Sequence, residues 1–268
     1  MGAWTLDDIP WHDFDRTRVD PDLLRIVKAA SLVEYNGGAY AGHLCRVFAD
    51  DPEFQATARR WGSEEVQHGR ALARWARLAD PSFDFEAAFA RFQAGYHVDF
   101  DVERSRRGSR AGEMIARCIV ETGTSSYYSA LGEAAAEPVL AEICRRIAAD
   151  ELRHYRLFYK NLGRYLTRDG LGRWARLRVA LGRVAESQDD ELPYAYHAAN
   201  CTGPYERRRS ARDYESRAFS LYRRHHVERG VAMVLKAVGL KPNGRLGAVA
   251  GAVAWHAMRW RVGRLRAA

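Results

Sequence analysis

The chain has no hydrophobic run long enough to cross a bilayer. Its longest apolar-leaning stretch, Leu246 to Met258, covers thirteen residues, where a spanning helix needs about 20. The four cysteines, Cys45, Cys118, Cys144 and Cys201, form no Cys-x-x-Cys, so neither a zinc ribbon nor a rubredoxin-type iron site is supported. Cys118 and Cys144 read instead as small core residues. No Gly-x-Gly-x-x-Gly follows a strand, and nicotinamide binding is not expected. No strand pattern appears at all, and no repeat of solenoid length beyond one duplicated helix hairpin. The N-terminal Met-Gly-Ala-Trp-Thr-Leu-Asp-Asp lacks the basic and apolar regions of a secretory signal, which makes a reduced cytoplasm the expected setting. Acidic residues are missing from the C-terminal end, since none follows Glu228. Residues 192–268 hold 15 Lys and Arg against 4 Asp and Glu, while residues 1–191 hold 27 against 30. That imbalance suggests an anionic partner. No recognition motif accompanies the arginines, so nucleic acid is not expected.

What is present is helical. Hydrophobic residues at 47% and charged residues at 28% describe an ordinary globular composition, and the apolar periodicity is that of helices throughout. Asp20-Pro21 and Asp51-Pro52 are helix starts, with Asp as N-cap and Pro in the first turn. They predict helices to about Phe48 and Ala79, the second closed by Asp80-Pro81. A short aromatic-rich helix over 83–94 lies in a crossover, a third long helix runs from about Gly108 to Glu133, and a fourth from Glu137-Pro138 to Asp169-Gly170. The fold class expected is all-α: an N-terminal arm (1–19), a four-helix bundle (20–170) with its crossover helix, and a basic helical extension (171–268) packed on it. That extension reads as a helix over 171–191, a helix or pair over 205–236, and the apolar segment 246–258. The last is followed by Arg259, Arg261, Arg264 and Arg266. Such a segment could lie against a membrane, against a second copy in a homodimer, or on its own bundle.

One pattern occurs twice. Glu65-x-x-His68 sits on the stripe Phe54, Ala58, Trp61, Glu65, His68, Leu72, and Glu151-x-x-His154 sits on the stripe Cys144, Ile147, Glu151, His154, Phe158, Leu162. At helical spacing these stripes are apolar apart from the Glu and the His, so both ionisable groups face inward. Upstream of each pair a lone carboxylate takes the same place. Glu34 interrupts Val27, Ala30, Gly37 and Ala41, and Glu121 interrupts Met114, Cys118, Ser125 and Tyr128. Four buried carboxylates and two imidazoles would be costly without compensation. A pair of metal ions removes that cost, and one Glu from each of two helices with a Glu-x-x-His from each of two others is how carboxylate bundles hold two irons or manganese ions. Gly37-Gly38, one turn past Glu34, weakens its helix by roughly 1 kcal/mol per glycine. Close approach of backbone or substrate would explain the pair, and so would tight helix packing.

These motifs resemble those of the soluble acyl-carrier-protein desaturases of the ferritin-like superfamily. Trp61 to Gly69, Trp-x-x-Glu-Glu-x-x-His-Gly, is similar to that family's first ligand motif. Ala148 to His154, Ala-Ala-Asp-Glu-x-Arg-His, is similar to its second, and Glu121-Thr-Gly-Thr124 to its Glu-x-x-Thr element. The resemblance implies Glu34, Glu65, His68, Glu121, Glu151 and His154 as ligands of two ferrous ions. It implies Thr124 as an aid to oxygen activation, although a Thr there could equally bond the backbone one turn back. It places Asp150 and Trp61 beside the ligands, where an Asp would orient an imidazole.

The chemistry implied is dioxygen-dependent removal of two vicinal hydrogens from an acyl chain held as a carrier thioester. Electrons would come from a ferredoxin-like donor. Hydroxylation of another substrate and ferroxidase-type iron handling are the alternatives. An acidic acyl-carrier protein, another anionic carrier or a lipid would suit the arginine-rich surface, for example Arg207, Arg208, Arg209 and Arg212. His197, His225 and His226 lie off the stripes and read as surface residues.

Overall fold

The computed structural model describes residues 4–96, 105–186 and 190–267. The first three residues of the arm and the side chain of Arg266 lie outside them. The protein is all-α, and among the described residues there is no strand. Among the described residues, three short 3-10 turns, Leu6–Asp8, Trp11–Asp13 and Arg16–Arg18, precede eleven α-helices. By contacts the chain divides into two compact units, each discontinuous in sequence. The first comprises Met1–Asp101, Leu131–Arg145 and Asp189–Ser220, and the second Val102–Ala130, Arg146–Gln188 and Leu221–Ala268.

In the first unit, α1 (Pro21–Tyr35) and α2 (Gly37–Val47) both pack on α3 (Pro52–Ala79). The Asp-Pro starts work as the sequence implies. Asp20 accepts from the amides of Asp22 and Leu23 at 2.7 and 3.2 Å, and Asp51 accepts from the amide of Phe54 at 2.9 Å, satisfying donors a helix terminus leaves unpaired. A single helix from Pro21 to Phe48 was expected, and two are found. The chain breaks at Asn36, whose amide turns to the carbonyls of Leu32 and Val33 at 3.2 and 3.1 Å. Gly37 follows directly, and α3 lies too close there to permit a side chain, since a Cβ would fall 2.2 Å from the Cβ of Glu65. The short helix of the crossover is α4 (Phe85–Gly95), capped by Asp84 on the amide of Ala87 at 2.9 Å.

Beyond α4 come α5 (Arg110–Ala134) and α6 (Pro138–Asp169), the latter started by Glu137. Glu137 does more than cap. Its buried carboxylate accepts from the amide of Leu140 at 2.8 Å, the indole of Trp75 at 2.6 Å and the amide of Asp15 at 3.1 Å, tying the arm and α3 to the start of α6. Within the second unit α5 and α6 run as a hairpin: Asp169 at the end of α6 accepts from the amide of Ala111 at 2.8 Å.

The segment expected as one helix over 171–191 is α7 (Arg173–Glu186). A further helix, α8 (Glu191–Asn200), has no counterpart in the sequence reading. It packs on α1, α4 and α9 (Arg207–Ser220). The expected pair is thus α9 and α10 (Arg224–Ala237), and the chain ends in α11 (Arg245–Ala267), packed on α10. His226 is not a surface residue. It is buried, and its Nδ1 accepts the amide of Arg223 at 3.0 Å, closing the start of α10. His225 beside it points outward, because neighbours on a helix are turned about 100° apart. Among the described residues no helix is long and apolar enough to cross a membrane.

One ion pair of the first unit has a pH signature. Lys28, buried on α1, donates to Asp80 at 2.6 Å and lies over the ring of Phe83. The Lys28 hydrogen bond, then those of Ser82, pull the Asp80 carboxyl from 3.8 to about 2. The contribution is therefore complete above about pH 4 and fades as the pH falls toward 2. Asp80→Asn is expected to cost about 1 kcal/mol at pH 7, with the gap to wild type closing between pH 4 and 2. Urea unfolding across that window measures it, and a gap independent of pH would contradict the assignment.

Candidate metal centre

All four stripes read from the sequence are buried. Glu34 and Glu65 are 7% exposed, His68 0%, Glu121 and Glu151 1% and His154 2%. Each unit brings three of these side chains together. In the first, one ligand atom from each of Glu34, Glu65 and His68 lies within 4.8 Å of the others, and the same holds for Glu121, Glu151 and His154 in the second.

The spacings within each set are alike. His68 Nδ1 is 3.7 Å from a carboxylate oxygen of Glu34 and 3.7 Å from one of Glu65. His154 Nδ1 is 3.5 Å from Glu121 and 3.9 Å from Glu151. These distances are long for charge-assisted hydrogen bonds. They are near those of donors sharing one ion, since bonds of roughly 2.0–2.2 Å set neighbouring ligand atoms about 3 Å apart. A small contraction would close each set on a cation. Two carboxylates and an imidazole are a hard, anionic donor set that suits ferrous or manganous ions. Clustered buried carboxylates also repel one another until a cation joins them. On chemistry and spacing, the residues fit a metal.

The helix packing explains why Glu34 reaches its set. A Cβ on Gly69 would lie 2.5 Å from the backbone nitrogen of Tyr35, and one on Gly37 would lie 2.2 Å from the Cβ of Glu65. Only a bare backbone at these positions lets α1 and α2 approach α3 this closely, which draws Glu34 to His68. Both readings of the glycine pair thus apply at Gly37, where tight packing and close approach to a site residue coincide.

Thr124 has a definite place. Its hydroxyl lies 2.6 Å from Oε2 of Glu151, and 3.3 Å from the carbonyls of Val120 and Glu121. A hydroxyl has one proton, and the shortest contact takes it to the carboxylate. Asp150 is buried and paired with Arg153 on its own helix. Trp61 is buried on α3 one turn before Glu65. Cys118 and Cys144 are buried free thiols. Burial raises both, and the charge of Glu121 raises Cys118 further, so they remain protonated and inert.

One contact escaped the sequence reading. Trp4, in the arm, is buried and lies parallel to the imidazole of His68, with ring centroids 6.0 Å apart and planes within 8°. Gln67 holds it there by donating to the Trp4 carbonyl at 2.7 Å. The arm follows α3 further along, with Arg74 over the ring of Trp11 and Arg16 donating to the carbonyl of Leu78. No periodicity marks Trp4. Its only signal was an aromatic residue in a stretch without an amphipathic face of its own.

No curated protein matches the chain. Residues 47–176, just under half of it, match the family described as fatty acid desaturase; that span holds Glu65, His68, Glu121, Thr124, Glu151 and His154 but not Glu34, and the match supports an oxidoreductase of the desaturase kind.

Proposed function

We propose that this chain is an oxygen-dependent diiron desaturase of the soluble acyl-carrier-protein type, built on a ferritin-like bundle. Its substrate is an acyl chain held as a carrier thioester, and its electrons come from a ferredoxin-like donor. The observation that carries the reading is the pair of buried Glu, Glu and His sets, matched in composition and spacing, with five of the six residues in the stretch that matches the desaturase family.

In this reading Glu34, Glu65, His68, Glu121, Glu151 and His154 together hold two iron ions, or manganese in the same donors. When bound, the ions supply the activation of dioxygen needed to remove hydrogen from an unactivated C–H bond. The remaining work belongs to the protein. Burial keeps bulk water from the ligands, which strengthens every electrostatic interaction there. Thr124 holds its proton toward Oε2 of Glu151 and so fixes one carboxylate oxygen. Asp150 and Trp61 act as positioning residues, Asp150 by orienting a ligating imidazole. For the acidic carrier, α9 offers the exposed side chains of Arg208, Arg209 and Arg212, beside Arg207, which is paired with Asp190.

The deciding experiment is anaerobic reconstitution with ferrous iron, then one turnover with a saturated acyl-carrier-protein thioester, chemical reductant and oxygen. An alkene supports the proposal. A hydroxylated product would make the protein an oxygenase, and repeated ferrous oxidation with mineral growth and no organic product would make it an iron-handling protein.

Thr124→Val is expected to leave iron content unchanged and to lower turnover by roughly 10- to 100-fold, with Thr124→Ser restoring most of it. Iron per chain and kcat, measured on the same preparations, separate this from a structural role. Loss of iron in step with kcat would assign Thr124 to folding of the site alone.

A further inference from the structure

The seven large apolar side chains that stand most exposed among the described residues all lie on two helices of the second unit, α7 and α11. On α11 they form a stripe. Leu246, Val249, Val253 and Trp260 are 59%, 61%, 63% and 66% exposed, and with exposed His256 they follow steps of three and four residues, which place them on one face. The opposite face is the packed one. Gly247 and Gly251 are buried there, and a Cβ on Gly251 would lie 3.0 Å from the side chain of Glu228 on α10. A helix apolar on both faces is covered on both faces when it works.

The charges flanking the outer stripe indicate what covers it. At 100° per residue, Arg245 and Arg259 fall along one margin and Arg261 and Arg264 along the other. Arg264 lies over the ring of Trp260 with its carbon 4.9 Å from the centroid, and Arg259 lies 5.8 Å from that of Trp255. α11 carries no Asp or Glu. The last acid before it, Glu228, is on the packed side and pairs with Arg224 at 2.7 Å. α7 repeats the composition, with Trp174 84% and Leu181 61% exposed, seven residues apart, and Arg178 between them.

We propose that α11 docks the protein on an anionic lipid surface, lying in the plane of the interface with Leu246, Val249, Val253 and Trp260 among the acyl chains and the arginines on the headgroups. An apolar stripe bordered by arginines, with tryptophan at one end, is the pattern of a helix that lies on a bilayer. A second copy of this chain fits poorly. Two such faces would oppose arginine to arginine along both margins, whereas paired helices need complementary charge there. An acidic protein would satisfy the arginines but gives no reason for a stripe of exposed valines. The inference does not depend on the proposed reaction.

Flotation of the full chain with vesicles tests it, using phosphatidylcholine alone and phosphatidylcholine with about a third phosphatidylglycerol. Binding is expected to the mixed vesicles, at least tenfold weaker to the neutral ones, and weaker in high salt. Arg259→Gln with Arg264→Gln should reduce it roughly 30-fold, at about 1 kcal/mol per arginine. Val249→Ser, Val253→Ser and Trp260→Ser together should abolish it. These side chains are exposed, so far-UV circular dichroism and melting should be unchanged in all variants. Absence of vesicle binding, or binding indifferent to both sets of variants, overturns the proposal. So does a stable dimer in solution, seen by light scattering and split by Val253→Glu, that does not bind vesicles.

Discussion

Without metal, the Glu121→Gln protein is expected to melt above the wild type, and with ferrous iron it is expected to gain almost nothing. Both halves follow from the same burial. Glu121 is 1% exposed and shares its surroundings with Glu151, also 1% exposed, and His154. Two carboxylates this deep and this close cost several kcal/mol when no cation compensates them. The amide keeps the shape and removes one charge, which relieves the metal-free protein. A cation reverses the balance, because it binds the folded chain alone. At one hundred times the dissociation constant, iron adds about 2.7 kcal/mol to the wild type, or roughly 5–10 °C in a domain of this size. A neutral amide facing a dication loses affinity by roughly 100-fold or more, and at the same iron concentration the shift falls to about 1 °C. Anaerobic calorimetry of both proteins, with ferrous iron and with chelator, measures all four states. If the variant melted below the metal-free wild type and kept the full iron shift, Glu121 would be a structural carboxylate and the ligand set would have to be redrawn.

The residues in that argument could be found from the chain alone because helical periodicity is a local property. Once Glu34, Glu65, Glu121 and Glu151 are seen to interrupt apolar stripes at steps of three and four, their burial follows from geometry, and every one is buried. Helix starts were legible for the same reason: an Asp before a Pro acts on amides two and three residues away. What stayed hidden depends on distant neighbours. The break at Asn36 falls where Gly37 sits against Glu65 of α3, a neighbour that no window around residue 36 contains. Trp4 reaches His68 from an irregular arm by a contact 64 residues apart in sequence. α8 is ten residues long with Pro193 in its first turn, and what holds it is packing on α1, α4 and α9. His226 differs from His225 only in which of two adjacent directions faces the core.

Gly69→Ala is expected to destabilise the protein and abolish the iron-induced shift, although position 69 has no side chain to offer a cation. The added methyl group would meet the backbone nitrogen of Tyr35 at 2.5 Å and its Cα and Cβ at 2.7 Å each. None of these atoms can swing aside, since they belong to the backbone and first side-chain carbon of α1. The helices must part by about 1 Å to restore ordinary contact, an overpacking that costs roughly 1–3 kcal/mol. His68 precedes Gly69 and Glu34 precedes Tyr35, so separating α1 from α3 pulls apart the two groups that the crossing holds 3.7 Å from each other. Misplacing a ligand by that amount removes it from a shared ion. Gly163→Ala supplies the opposite sign. That glycine is exposed within α6 with nothing within 4 Å of an added Cβ, and alanine there should stabilise by about 0.5–1 kcal/mol while leaving the iron shift intact. Thermal unfolding with and without ferrous iron, read beside far-UV circular dichroism, distinguishes a widened crossing from a lost fold. A Gly69→Ala protein as stable as wild type, with its iron shift unchanged, would show that the approach of α1 to α3 does not set the ligand geometry.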